Sequence, residues 1–179
     1  MKKVLFVWGM LLSFGMFCAC SSDDELDGNG NDTDILSPVN SIDGYSEISK
    51  FFDSEWSYLG VDRPSTFFPD DLQDVCCMVN SEQEFRELYH GNVDIPHIDF
   101  QKYTLVIGKK AYTTKYGELS PTKYEGQKLY GQSDTYVLDL YCRSHVSDIS
   151  FYTQSFICFW GIYPKLRDEK VVINIVYVD

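Results

Sequence analysis

Basic residues and long apolar runs are scarce in this sequence of 179 residues. Fifteen Lys and Arg stand against 27 Asp and Glu, which gives a formal net charge of −12 at pH 7. Binding to the phosphates of a nucleic acid needs clustered Lys and Arg, so this balance argues against a nucleic-acid partner. The apolar run at residues 4–17 has 14 residues. A membrane-spanning helix needs roughly 20, so the run favours a secretion signal over a transmembrane anchor.

Recognised catalytic and cofactor motifs are also missing. The sequence has no His-Glu-x-x-His, no Gly-x-Ser-x-Gly, no P-loop, no Gly-x-Gly-x-x-Gly and no Cys-x-x-Cys. His90, Asp94, His97 and Asp99 lie close together but match no known metal-ligand spacing, which favours a polar loop over a metal site. We therefore expect a protein that is not an enzyme and holds no cofactor or metal. The alternative is an enzyme of a type that these motifs do not cover.

The N-terminus has the pattern of a secretion signal. Lys2 and Lys3 precede the apolar run, and Ala19 and Cys20 follow it. The end of this segment, Phe-Cys-Ala-Cys at residues 17–20, resembles a bacterial lipobox. The resemblance implies cleavage before Cys20 and acylation of its thiol and new amino group, with chains such as palmitate. Ordinary cleavage after Ala19, which would release a free secreted protein, is the alternative.

The acidic stretch at residues 21–25, Ser-Ser-Asp-Asp-Glu, resembles the surface-export signal of lipoproteins from gut Bacteroidota. This resemblance implies an outer-membrane lipoprotein that is exposed at the cell surface and held in the membrane by the lipid on Cys20. Removal of residues 1–19 takes away Lys2 and Lys3, so 13 basic and 27 acidic residues remain and the net charge becomes −14.

Three segments follow from these patterns. Residues 1–19 are expected to form the signal peptide, and residues 20–39 the lipidated cysteine with a flexible acidic linker. Ser, Asp, Asn and Gly dominate that linker, which has too little apolar surface to offset the entropy of ordering. Residues 40–179 have an ordinary length for a single globular α+β domain.

Within this domain, periodicity predicts two helices and then a series of strands. Ile48, Phe51, Phe52 and Trp56 recur at helical spacing within residues 45–59. A capping-box pattern begins a second helix at Ser81. Strands are predicted at residues 75–79, 103–112, 123–132, 134–143, 152–163 and 170–178. We expect one curved, mostly antiparallel sheet of five or six strands with both helices packed on it; a partly closed barrel is the alternative.

Residues 81–85, 98–105 and 160–166 together resemble uncharacterised lipoproteins of Bacteroidota, over most of residues 74–179. This likeness implies a fold and a cellular location rather than an activity. A second likeness, chiefly in Tyr163 and Pro164 before the last strand, is to the C-terminal domain of PrcB-type protease-complex proteins. It suggests a structural or protease-modulating envelope subunit as an alternative role.

Four cysteines remain beyond Cys20, an even number that permits disulfides in an exported protein. Neighbouring cysteines on a strand point to opposite faces, so Cys76 and Cys77 are not expected to bond to each other. Cys142 and Cys158 are expected on neighbouring strands and are the best candidate pair. The alternative, which we favour, is four buried thiols that act as small apolar side chains.

A Lys- and Tyr-rich stretch at residues 109–130 is the best candidate for a ligand face. Five lysines there face only two glutamates, so an acidic protein carries a local charge of +3. Tyrosine rings stack on sugars, and lysines attract anions. The candidate residues are Lys109, Tyr112, Lys115, Tyr116, Lys123 and Tyr124. Together they suggest a binding module for an acidic glycan or a surface protein partner; the alternative is an edge hairpin that its lysines protect against aggregation.

Overall fold

The computed structural model describes residues 34–56, 59–60, 66–68, 74–132, 134–148 and 153–179. The expected signal peptide, Cys20 and most of the expected linker lie outside these residues. Within the described ranges, no helix has both the length and the apolar character that crossing a membrane requires.

Both predicted helices are confirmed. α1 spans Tyr45–Glu55 and buries Ile48, Phe51 and Phe52, the residues that repeat at helical spacing. It ends earlier than residue 59 because Trp56 already has an extended backbone.

α2 spans Glu82–Leu88, and its N-terminus has the predicted cap. Ser81 Oγ accepts a hydrogen bond from the Glu84 backbone N–H at 3.2 Å. The carboxylate of Glu84 accepts one from the Asn80 backbone N–H at 2.6 Å. Side chains therefore satisfy two backbone donors where the helix begins.

The described part of the chain contains eight strands. All six predicted strands are present, several of them longer than expected, and two strands of only two residues are new. The strands are β1 Ile35–Leu36, β2 Leu59–Gly60, β3 Val75–Val79, β4 Tyr103–Thr114, β5 Leu119–Gln132, β6 Thr135–Val146, β7 Thr153–Pro164 and β8 Lys170–Val178. β1 lies inside the stretch that the sequence indicates as linker, and it pairs with β5 through Ile35 and Tyr130.

The strands form two sheets, so the prediction of a single sheet is wrong. Sheet A has the order β1-β5-β6-β8, and sheet B has the order β2-β7-β4-β3. β8 runs parallel to β6, because the intervening β7 crosses into sheet B. Within the described residues neither sheet closes into a barrel. Alternation along a strand indicates which face is buried but not which strand lies beside it, so the sequence could not separate the two sheets.

The core has two parts, one on each face of sheet B. On one face, Leu105, Ile107 and Trp160 pack against the residues of α1 and α2. On the other face, Val106 and Phe159 pack against sheet A. Successive residues of β4 and β7 therefore enter different parts of the core, which explains why β7 is apolar on both faces.

Candidate functional site

The candidate site is the outer face of sheet A, the side that points away from sheet B. The inner side of sheet A is apolar: Leu129 of β5, Leu138 and Leu140 of β6 and Ile173 of β8 contribute to the core between the sheets. Since side chains alternate along a strand, the residues between them point outward. In the described part of the chain, no helix or strand packs against this outer face.

Register places the outward residues in rows across the sheet. Lys128 of β5 lies opposite Asp139 of β6, which in turn lies opposite Asn174 of β8. The Asn174 side-chain amide donates a hydrogen bond to Asp139 Oδ1 at 3.1 Å. This row places an ammonium, a carboxylate and an amide side by side on an open surface.

Two tyrosines lie diagonally across that row. The hydroxyls of Tyr130 and Tyr141 are 2.8 Å apart and share a hydrogen bond. Lys128 Nζ lies 5.6 Å from the centre of the Tyr141 ring, in a cation–π geometry. The hydrogen bond with Tyr130, burial and the charge of Asp139 together raise the pKa of Tyr141 to about 12. Its hydroxyl therefore keeps its proton at physiological pH.

Charged residues lie at one end of the same face. Glu125 Oε1 lies 3.0 Å from Lys123 Nζ and 2.7 Å from Arg143 Nε. The hydrogen bond from Lys123, together with the charge of Arg143, lowers the pKa of Glu125. The Lys123 and Arg143 side chains are largely exposed, so each ion pair is weak and exchangeable.

We call this surface the polar–aromatic platform, and it consists of Lys123, Glu125, Lys128, Tyr130, Asp139, Tyr141, Arg143 and Asn174. It offers hydroxyl and amide donors, carboxylate acceptors, three cations and two tyrosine rings on a sheet face. Such a surface can hold a ligand that has many hydroxyls and apolar faces. No protein-family model, curated protein or solved structure matches the chain.

The structure does not bring the six Lys and Tyr candidates together. Lys109 is fully buried on the side of sheet B that faces the helices. Tyr112 and Tyr124 pack between the two sheets. Lys115 and Tyr116 lie in the turn between β4 and β5, and Tyr116 is 74% exposed. Of the six, only Lys123 belongs to the platform.

A β-bulge in β5 explains the position of Tyr124. In β5 the register shifts between Tyr124 and Gly126, so Tyr124 pairs with Cys142 while Gly126 pairs with Tyr141. The extra residue reverses the alternation. Tyr124 consequently points inward and donates its hydroxyl to Gln127 Oε1 at 2.8 Å, whereas Tyr130 points outward. A glycine inside a strand is the sequence signal that could have indicated the bulge, and Gly126 has a φ of 149° in the structure.

Asp139, Tyr141 and Asn174 were missed for another reason. The strong alternation of β6 does predict that Asp139 lies opposite to the buried leucines. Its neighbour on β8 could not be predicted, because β6 and β8 are far apart in sequence and pair in parallel.

The candidate disulfide pair is separated in the structure. Cys142 lies on β6 and contributes to the core between the sheets, whereas Cys158 lies on β7 and faces the helices. Their strands belong to different sheets, so the premise of neighbouring strands is wrong. Cys76, Cys77, Cys142 and Cys158 are all free thiols.

The loop with His90, Asp94, His97 and Asp99 connects α2 to β4. Asp99 forms an ion pair with Lys102 at 2.9 Å, and this hydrogen bond lowers the pKa of Asp99. Within the ranges that the structure describes, no three His, Cys, Asp or Glu side chains converge as metal ligands would.

Proposed function

We propose that this chain is a lipid-anchored, non-enzymatic cell-envelope protein that binds a glycan on the polar–aromatic platform. The observation that carries the proposal is the row Lys128, Asp139 and Asn174 beside the tyrosine pair, on a sheet face that no described element covers. It places an ammonium, a carboxylate and an amide on three neighbouring strands, beside two tyrosines whose hydroxyls are hydrogen-bonded to each other.

The chemistry of sugars matches this arrangement. Sugar hydroxyls pair with planar groups that both donate and accept, and Asp139 with Asn174 supplies such a pair. The apolar C–H faces of a sugar ring stack against tyrosine. Lys123, Lys128 and Arg143 favour sugars that carry a carboxylate, because only two carboxylates of the platform stand against three cations.

The proposed location at the cell surface supports a role in glycan binding. A lipid on Cys20 would hold the protein at the outer membrane, and the acidic export pattern would place it on the cell surface. Two or more acyl chains give stable anchoring, whereas a single chain binds only marginally. A glycan-binding surface domain would then meet polysaccharides outside the cell.

A glycan array tests the proposal with the full-length chain and two platform variants. We expect binding to glycans that contain uronic acids, and a loss of about tenfold in affinity for Tyr141→Ala and for Asn174→Ala. Tyr116→Ala is the matched control, because Tyr116 is exposed but lies off the platform. Binding that is unchanged in both platform variants, or no binding to any arrayed glycan, would contradict the proposal.

A further inference from the structure

Among the strands that the structure describes, β3 lies at one edge of sheet B. It pairs with β4 through all five of its residues, from Val75 opposite Lys109 to Val79 opposite Leu105. No strand of the described chain pairs with its other side. Every second residue of an edge strand directs its backbone N–H and C=O outward, where they can bond to another strand.

β3 also lacks the usual protection of an edge. Its sequence, Val-Cys-Cys-Met-Val, contains no charged residue and no proline. Natural edge strands commonly carry lysine, proline or a bulge, which discourage pairing with other chains. An apolar edge strand without such residues can accept a further strand through backbone hydrogen bonds.

A groove lies between β3 and α2. It has a volume of about 340 Å³ and is lined by Cys77, Met78, Val79, Glu84, Glu87 and Leu88. Its floor is apolar, and its helix wall carries two carboxylates. The described lining contains no Lys or Arg.

A second groove lies on the opposite face of the same strand. It has a volume of about 280 Å³, and β8 forms its far wall. Asp74 and Lys110 form an ion pair at 2.6 Å at one side of it. A strand added to β3 would therefore direct alternate side chains into the two grooves, because side chains alternate along a strand.

We propose that β3 binds an extended segment of a partner protein, which is added to sheet B as a further strand. The segment carries Lys or Arg at the positions that face α2, where Glu84 and Glu87 receive them. Charge selects this occupant over a second copy of the chain. Two copies joined at β3 would bring together two proteins of net charge −12 that each carry these carboxylates.

Selection from a displayed library of random dodecapeptides tests this proposal with the full-length protein in detergent. We expect enriched peptides in which apolar residues alternate with Lys or Arg. Their affinity should fall about tenfold for Glu87→Lys, since charge attraction at an apolar groove becomes repulsion. Glu82→Lys is the matched control: it makes the same charge change on α2, but Glu82 pairs with Arg86 and does not line the groove.

Backbone amide exchange locates the bound peptide. We expect slower exchange at the outward-facing amides between Val75 and Val79, and unchanged exchange on β5 and β6. The proposal is overturned by enriched peptides that lack basic residues, or by affinity that Glu87→Lys leaves unchanged. It is also overturned if no peptide is enriched; a protein that then sediments as a dimer would identify a second copy as the occupant of β3.

Discussion

Lys109 is a lysine with no exposed surface, which is uncommon for this residue type. Its ammonium lies 4.7 Å from the centre of the Phe156 ring, and its cross-strand neighbour is Cys158. A cation–π contact offsets part of the cost of removing the charge from water. The long aliphatic stem is buried as well.

We therefore expect Lys109→Ala to lower the free energy of unfolding by about 2–4 kcal/mol, because the substitution leaves a cavity and removes the ring contact. Urea denaturation followed by circular dichroism measures the change. Lys115→Ala, in an exposed turn, should change stability by less than about 0.5 kcal/mol. An unchanged midpoint for Lys109→Ala would show that the buried stem contributes little.

The buried thiols predict how stability depends on pH. Burial raises the pKa of Cys76 and of Cys158 to about 12, and that of Cys142 to about 11. An unfolded thiol ionises near pH 8.5. The folded state therefore holds more protons above this pH, and the stabilisation is present in full below it and is lost as the pH rises towards 11–12. Each thiol contributes a slope of up to about 1.4 kcal/mol per pH unit.

Urea denaturation at pH 7.5, 9 and 10.5 tests this expectation. The free energy of unfolding should fall between pH 9 and 10.5, and the fall should be smaller for Cys142→Ala than for the parent chain. Buried tyrosines such as Tyr163 have a raised pKa and contribute in the same direction, so the comparison with the variant isolates the thiol. Equal slopes in the two proteins would refute a contribution from Cys142.

At the scale of single residues, the sequence predicted which apolar side chains are buried better than it predicted the face of the sheet to which a polar side chain points. Ile48, Phe51 and Phe52 recur at helical spacing in the sequence, and all three are buried. Lys109 was expected on a ligand face because it belongs to the Lys- and Tyr-rich stretch, but alternation puts it on the same face of β4 as Leu105 and Ile107, which the structure places under the helices. The periodic pattern was the better guide here than the residue type.

At the scale of elements, the close approach of β3 to β4 depends on Gly108. A Cβ at this position would collide with the Val75 carbonyl oxygen and with the ring of Phe159. Gly108→Ala must therefore push the edge strand or the ring aside, at a cost of about 1–3 kcal/mol. Thermal unfolding should show a lower Tm, and amide exchange should quicken in β3.

Gly131→Ala is the matched control for this substitution. Gly131 also lies in a strand, but its nearest contact for a Cβ is Tyr136 Cε1 at 3.8 Å, an ordinary distance. We expect this variant to be neutral or slightly stabilising, since alanine restricts the unfolded chain. A Gly108→Ala protein as stable as Gly131→Ala would mean that β3 can shift without loss.

The helices and strands were largely predictable, whereas the pairing of the strands was not. The Ser81 and Glu84 pattern placed the start of α2 correctly, because capping is a local interaction. β6 and β8 were also identified, but their parallel pairing depends on β7 leaving for the other sheet. Such a crossover leaves no periodic signal in any one strand. β1 could not be predicted either, because a strand of two residues is too short to show alternation.

At the scale of the whole molecule, the two proposed binding surfaces belong to different sheets. The polar–aromatic platform lies on the outer face of sheet A, and the proposed strand-binding edge belongs to sheet B. A glycan and a protein segment would therefore not compete for the same atoms. The Tyr141→Ala and Glu87→Lys variants should separate the two activities cleanly, because neither residue lies in the other site.

Both proposed roles depend on the cellular location of the protein, which lipidation of Cys20 is expected to determine. We expect a palmitate analogue to label the full-length protein in growing bacteria, and Cys20→Ala to abolish the labelling and to move the protein out of the membrane fraction. The physical reason is that acyl chains supply about 0.8 kcal/mol per buried methylene, which the acidic linker cannot replace at an anionic membrane surface. Cys18→Ala is the control: the expected cleavage before Cys20 removes Cys18, so this variant should leave labelling intact. Persistent labelling of Cys20→Ala would refute the lipobox and, with it, the proposed presentation of the domain at the cell surface.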